Sequence, residues 1–275
     1  MSSKKVPQPT VLLVGCGKMG SALLSGWLAA DSVAQVTVVD PMASPDGLAD
    51  DARVTWLAAA PDFGGSQAPD VILLAVKPQM MGEAAPGYGT LARQGSLILS
   101  IAAGKTIGNF EQLFSADAAI VRCMPNTPAA IGRGITMCVP NAKVSPDQRQ
   151  LVDLLLSAGG SVLWSEDEAD IDAVTAVSGS GPAYVFHLVE TMAAAGVALG
   201  LRPEIAMQLA RETVSGSGEL LRQSTESAEQ LRKNVTSPNG TTQAALEVLM
   251  ASPGLGALME KAIAAAAARS KALAG

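Results

Sequence analysis

The stretch Val11–Gly20, VLLVGCGKMG, decides the fold. Four apolar residues suited to a buried strand run directly into Gly15-Cys16-Gly17-Lys18-Met19-Gly20, and a helical pattern follows at once. In such a turn Gly15 makes the tight bend, Gly17 lets a pyrophosphate approach the backbone, and Gly20 lets the helix pack close to the strand. The helix start offers unpaired N–H groups and the positive end of its dipole to an anion. A glycine-rich turn also serves simply to connect elements. The strand before it and the helix after it favour the dinucleotide reading.

Outward from this turn, the helix from Ser21 carries Leu24, Trp27 and Leu28 on one face, an apolar stripe for a sheet. Val36–Val39 is a β-branched run and reads as strand two. It ends at Asp40, twenty residues after Gly20, where a dinucleotide fold meets the adenosine ribose. A strand-end Asp closing a turn with Pro41 is the alternative. Val54–Leu57, Asp70–Val76, Ser96–Ile101, Ile120–Cys123, Ile135–Val139 and Val162–Trp164 read as further strands. Asp46–Ala60 is otherwise poorly patterned. Ser145-Pro146-Asp147-Gln148 predicts a helix start, with an N-cap Ser, Pro at the first position and Gln at the third. Alternation of this kind implies an α/β, doubly wound, mostly parallel sheet.

At Ser165 the pattern changes. Ser165-Glu166-Asp167-Glu168 reads as a capping box, and no convincing strand follows. Helices are expected over Asp170–Val177, interrupted at Ser178–Pro182 and resumed to Leu199, then over Pro203–Arg222, Ala228–Lys233, Thr241–Ala251 and Gly254–Ala272. The expected organisation is a nucleotide domain over 1–164 and an all-helical domain over 165–275.

Composition narrows the function. The net charge of -6 over 275 residues leaves no basic stripe for nucleic acid. Cys16, Cys123 and Cys138 are odd in number and lie in apolar settings, so they read as reduced, buried thiols of a cytoplasmic protein. No Cys/His spacing suggests a metal site. His187 lies in an apolar helical run and reads as a packed or hydrogen-bonded core residue. Met1–Thr10 is polar and reads as a loose tail without an apolar signal core. No apolar run has membrane-spanning length.

Four stretches place small, polar or rigid residues where a packed fold does not need them. Ala75-Val76-Lys77-Pro78-Gln79 ends a central strand, where open α/β sheets bind ligands. Arg122-Cys123-Met124-Pro125-Asn126-Thr127-Pro128 forms a rigid loop at another strand end. Ser178–Pro182 sets two glycines and a proline into a helical pattern, for close approach of either a ligand or another helix. In Val235–Thr242, the turn Asn239-Gly240 precedes a helix start at Thr241 or Thr242, whose N–H groups, with the Ser237 and Thr242 hydroxyls, make a carboxylate site. Each stretch also has a plain structural reading, as a surface loop, a packing device or a helix cap.

In this order the residues resemble pyrroline-5-carboxylate reductases over essentially the whole chain. The most specific pieces are AVKPQ at Ala75–Gln79, RCMPNTPA at Arg122–Ala129, AVTAVSGSGPAYVF at Ala173–Phe186 and VTSPNGTT at Val235–Thr242. Asn239 stands where the family's signature has the first of two glycines, a mild departure because Asn tolerates the left-handed conformation. The resemblance implies a Rossmann-type domain binding NADPH or NADH, followed by a helical domain that dimerises by interlocking with a second copy. It implies reduction of 1-pyrroline-5-carboxylate to L-proline at the dimer interface. Carried over by position, Ser237 and the Gly240–Thr242 backbone hold the substrate carboxylate, and the Thr242 hydroxyl bonds the ring nitrogen. Ser237 and Thr242 are the catalytic candidates, and Asn239, Thr241, Ser180 and Gly181 complete the substrate-binding set. Ala75, Val76, Lys77, Pro78, Ala102, Ala103, Gly104 and Asn126 join the glycine turn and Asp40 as cofactor-binding candidates. Asp40 leans towards NADH, since a carboxylate accepts from a 2′-hydroxyl and repels a 2′-phosphate.

Two rival classes remain. A 3-hydroxyacid or 6-phosphogluconate-type dehydrogenase needs a lysine on an interdomain helix, and Ser165–Leu199 contains none. A non-catalytic NAD(P)-binding sensor is separated by a turnover assay.

Overall fold

A computed structural model describes residues 8–42, 44, 47–61 and 67–274. The expected tail falls outside them as far as residue 7, as do residues 43, 45, 46 and 62–66 of the stretches around strand three. The first part runs β1 (Thr10–Val14), α1 (Lys18–Ala29), β2 (Gln35–Val39), β3 (Val54–Leu57), β4 (Val71–Leu74), α2 (Met81–Ala84), α3 (Gly89–Arg93), β5 (Leu97–Ser100), α4 (Ile107–Leu113), β6 (Ile120–Met124), β7 (Gly134–Pro140), α5 (Pro146–Leu156) and β8 (Gly160–Trp164). Helices follow: α6 (Asp170–Val174), a π turn at Thr175–Gly179, α7 (Gly181–Ala198), α8 (Pro203–Gln223), α9 (Ala228–Asn234), α10 (Thr241–Leu249) and α11 (Leu255–Ala274).

The strands form one sheet in the order β3-β2-β1-β4-β5-β6-β7-β8. From β3 to β6 all neighbours are parallel; β7 runs antiparallel to β6, and β8 is parallel to β7. The strand order reverses between β1 and β4, the crevice where such sheets take ligands. Alternate strand residues serve opposite faces. Leu13, Val38, Leu73 and Leu99 pack with Leu23, Leu24 and Trp27 of α1 and Val152 and Leu155 of α5. Leu12, Ile72, Leu74 and Ile98 pack with Met81, Tyr88, Leu91 and Phe110 on the other face. Burial on both faces is why these strands read as continuous apolar runs. The Trp27 indole N–H, buried in this core, donates to the Leu155 carbonyl at 2.7 Å, so its burial leaves no polar group unpaired.

The Ser145 capping box forms as expected: the Ser145 hydroxyl accepts from the Gln148 N–H at 3.2 Å, and Gln148 Oε1 accepts from the Ser145 N–H at 2.9 Å. A second box, Thr106 with Asn109, opens α4. The box expected at Ser165–Glu168 does not form. The Ser165 hydroxyl accepts from the Asp167 N–H, α6 begins only at Asp170, and Glu168 is drawn away to Arg122 and Ile107. Helix α1 starts at Lys18, three residues before the expected Ser21, because Gly17 is its N-cap.

The chain divides into two compact units, Met1–Gly179 with Ala267–Gly275, and Ser180–Ala266. Ser165 marks where strands cease, whereas the units part at the π turn. In the first unit the Ser270 hydroxyl donates to Asp172 Oδ1 at 2.6 Å, and Gly104 lies against the Leu273 backbone. In the second, α7 and α8 approach closely where Gly196 meets Ala206 and Leu201. Its buried apolar residues among those described are Ala193, Ala206 and Ala210. His187 is not a core residue: it is exposed on α7, with Nδ1 3.0 Å from Glu190 Oε2. Among the described residues no helix is long and apolar enough to cross a membrane.

Candidate cofactor and substrate sites

Parallel pairing from β2 through β6 brings the loops after β1, β2, β4, β5 and β6 to one edge of the sheet. These loops carry Gly15–Gly20, Asp40, Ala75–Pro78, Ala102–Gly104 and Asn126. Gly15 has φ +88, and a Cβ there would sit 2.9 Å from Val76 and 3.0 Å from the Ala75 backbone. A Cβ on Gly20 would meet the Gly15 carbonyl. Gly17 has open space around its missing Cβ and caps α1 without a side chain. The Gly15 N–H donates to the Val39 carbonyl and the Cys16 N–H to Asp40, so the N–H groups left for an anion begin at Gly17 and continue through Lys18 and Met19. A bare helix N-terminus with open space before it fits a dinucleotide's pyrophosphate.

Asp40 holds the adjoining turn. Its Oδ2 accepts from the Cys16 N–H at 2.6 Å and its Oδ1 from the Met42 N–H at 2.8 Å. The strand-end turn through Pro41 is therefore real, and the carboxylate still stands beside the glycine turn. Burial, and secondly the Asp40 charge, push the Cys16 thiol up to about 11, so it stays protonated near neutral pH. Cys123 and Cys138 face each other across β6 and β7 with sulfurs 3.3 Å apart, and all three cysteines are free and buried. Burial, then the Cys138 neighbour, raises the Cys123 thiol.

Lys77 is exposed and precedes a single 3-10 turn, Pro78–Met80, and among the described residues its ammonium takes no partner. Ala102 is buried, Ala103 exposed, and Gly104 has φ +71. Asn126 is spent on the protein: Oδ1 accepts from the Ile135 N–H at 2.9 Å and Nδ2 donates to the Ser178 carbonyl at 3.2 Å. It braces its loop against the π turn, with one amide hydrogen left over.

Sequence reasoning gave no role to Arg122 and misassigned Glu168. Arg122 Nη1 lies 2.7 Å from Glu168 Oε1, with the arginine side chain 5% and the glutamate 31% exposed. An arginine inside the apolar strand Ile120–Met124 was the signal, because a buried guanidinium demands a carboxylate. The sequence did not say which of Glu166, Asp167 and Glu168 supplies it.

In the Ser178–Pro182 stretch the two glycines differ. A Cβ on Gly179 would meet Met124 Cε at 2.7 Å, which is packing. Gly181 has open space, and Ser180 precedes α7 without capping it. The Val235–Thr242 loop joins α9 to α10. Asn239 has φ +56, the left-handed conformation for which Asn is suited, and its N–H donates to Gln243 Oε1 at 2.8 Å. Gly240 caps α10 without a side chain, and a Cβ there would press on Ser237 at 3.1 Å. Among the described residues the Ser237 and Thr242 hydroxyls take no protein partner. Thr241 is exposed and Thr242 half-buried, in the first turn of a nine-residue helix whose N–H groups lack a side-chain acceptor.

A family model described as pyrroline-5-carboxylate reductase dimerisation matches residues 168–273, and one described as NADP oxidoreductase, coenzyme F420-dependent, matches residues 10–104. A pyrroline-5-carboxylate reductase of Pseudomonas aeruginosa is 40% identical over 269 residues, 97% of each chain. The structure of a pyrroline-5-carboxylate reductase from Coxiella burnetii superposes with a TM-score of 0.90 at 32% identity, covering 98% of this chain and 99% of that one. The Plasmodium falciparum pyrroline carboxylate reductase with NADP bound gives 0.81 at 29% identity, covering 97% and 98%. With relatives this similar along nearly its whole length, the chain belongs to the pyrroline-5-carboxylate reductase family.

Proposed function

We propose that this protein catalyses the reaction for which its relatives are named, reducing 1-pyrroline-5-carboxylate to L-proline, the last step of proline biosynthesis, with NADPH or NADH. The observation that carries the reading is the Val235–Thr242 loop, where a left-handed Asn239 and a side-chain-free cap at Gly240 leave the Ser237 and Thr242 hydroxyls and the first N–H groups of α10 without protein partners. That set matches a small carboxylate beside a ring nitrogen. Ser237 and the Gly240–Thr242 backbone hold the carboxylate, and Ser180, Gly181, Asn239 and Thr241 shape its surroundings. The Thr242 hydroxyl hydrogen-bonds the ring nitrogen and orients the C=N bond. When bound, the reduced nicotinamide would supply the hydride that C5 of the protonated imine accepts, leaving the ring nitrogen as the amine. Little acid–base machinery is needed, because a protonated imine is already electrophilic; position does most of the work.

At the sheet edge the cofactor's pyrophosphate would be held by the N–H groups of Gly17, Lys18 and Met19, in the turn that Gly15, Cys16 and Gly20 shape. Ala75, Val76, Lys77, Pro78, Ala102, Ala103 and Gly104 would line the cofactor, and Asn126 braces one of the loops that would hold it. Asp40 favours NADH. Both its oxygens already accept N–H groups, and each keeps a lone pair for a ribose 2′-hydroxyl. Two unit charges at 4 Å repel by ~4 kcal/mol at an effective dielectric of 20, so a 2′-phosphate is disfavoured there. The protein works as a homodimer in the cytoplasm. Steady-state kinetics with 1-pyrroline-5-carboxylate and each cofactor test the reading. Turnover with NADH at least as efficient as with NADPH is expected. Turnover strongly favouring NADPH contradicts the role of Asp40, and no turnover with either contradicts the function.

A further inference from the structure

We propose that Glu168 is a positioning residue for the reduction, holding two loops of the cofactor edge in fixed relation through a single carboxylate oxygen. Glu168 Oε1 accepts from Arg122 Nη1 at 2.7 Å and from the Ile107 N–H at 2.8 Å. Ile107 opens α4, three residues after Gly104. Arg122 lies on β6, four residues before Asn126. The strands that deliver the two loops are neighbours in register, with Ser100 of β5 opposite Arg122 of β6. The carboxylate therefore spans the two strand ends.

Each partner needs this oxygen. Thr106 and Asn109 satisfy each other's backbone at the start of α4, and the Ile107 N–H, a first-turn donor, finds its acceptor in Glu168. Arg122 is buried, and a buried guanidinium without a counter-charge is costly. The carboxylate arrives from far along the chain, 61 residues from Ile107 and 46 from Arg122, so local folding does not dictate the contact. The loops it joins continue into further fixed contacts: Ser100 Oγ accepts from the Ala102 N–H at 3.3 Å, and Asn126 spans Ile135 and Ser178. Loss of the bridge frees the Ala102–Thr106 and Met124–Asn126 loops to shift against each other, which loosens the cofactor.

This proposal rests on the reading that those two loops line the cofactor, and Ala103→Phe tests that reading separately, since Ala103 is exposed on the first loop. The full chain is assayed for affinity for NADH and NADPH by calorimetry, for KM and kcat with 1-pyrroline-5-carboxylate, and for melting temperature. Glu168→Ala is expected to raise the cofactor Kd and KM about tenfold while kcat at saturating cofactor changes by less than about threefold. Glu168→Gln, which keeps an acceptor oxygen at the same reach for the Ile107 N–H but gives Arg122 no charge, is expected to recover part of the affinity lost in the alanine variant. Glu168→Asp, too short for both partners and usable even where the alanine variant fails to fold, is expected to weaken cofactor binding about threefold or more. A lowered melting temperature with wild-type cofactor Kd and KM in the alanine variant, or wild-type cofactor affinity in the aspartate variant, overturns the proposal. Wild-type cofactor affinity in Ala103→Phe overturns the loop reading beneath it. Weakened binding in Ala103→Phe beside wild-type behaviour of every Glu168 variant removes Glu168 alone.

Discussion

Leu73 of β4 and Leu209 of α8 are the same residue, yet Leu73 is 0% exposed and Leu209 is 53%. The difference extends through the units around them. In the sheet-bearing unit, strand leucines, isoleucines and valines meet Trp27, Tyr88, Phe110 and the aliphatic faces of α1 and α5, and both sheet faces are covered by the same chain. In the helical unit the buried apolar side chains are three alanines, while Phe186, Leu199, Leu209 and Leu220 stand in solvent. One unit completes its own core; the other leaves large apolar side chains uncovered by its own chain. The family model matched over residues 168–273 is one for dimerisation, which names what covers them. The sheet-bearing unit is thus complete within one chain, while the helical unit that the dimerisation model matches leaves apolar side chains for a second copy to cover.

The sharpest break of this comparison is Phe186→Glu combined with Leu209→Glu. Each large side chain removed from water contributes about 1.5–3 kcal/mol, and a symmetric dimer counts every one twice. Sedimentation is expected to show a monomer, reduction of 1-pyrroline-5-carboxylate to fall more than about hundredfold, and cofactor affinity at the sheet edge to persist. Leu73→Ala strikes the other unit: a loss of about 2–5 kcal/mol is expected in urea unfolding, at a midpoint that does not depend on protein concentration. Within the sheet edge, Asp40→Ser is expected to improve NADPH use relative to NADH by up to ~4 kcal/mol, less where solvent screens, read as the ratio of the two kcat/KM values. Thr242→Ala on the substrate loop is expected to lower kcat/KM by about 1–3 kcal/mol of transition-state stabilisation with cofactor affinity unchanged.

The two units also differed in how far they could be read from residues alone. Apolar runs ending in Gly15, Asp40 and Lys77 placed the strands to within a residue or two, because a strand buried on both faces must be apolar throughout. Asn239-Gly240 is legible as a turn, and Asn239 takes the left-handed conformation that its side chain tolerates, since that conformation is local. What the sequence withheld was long-range. Glu168 looked like a local cap in Ser165–Glu168, and a buried arginine 46 residues upstream outcompetes the local N–H groups for it. Asn126 looked like a ligand contact, whereas its amide is largely occupied by Ile135 and Ser178, neither legible from the motif. His187 looked like a core residue because its helix is apolar all round, and that periodicity does not distinguish a core from an interface. For the same reason Ser165 marked the last strand and not the point at which the compact units part.

The most direct measurement is the stoichiometry of L-proline formed to reduced nicotinamide oxidised when 1-pyrroline-5-carboxylate is added to the purified protein. One proline for each cofactor, with both appearing only when substrate is present, is the predicted result. Cofactor that binds to the protein yet is not oxidised on addition of 1-pyrroline-5-carboxylate contradicts the account, and leaves a nucleotide-binding protein in place of a reductase.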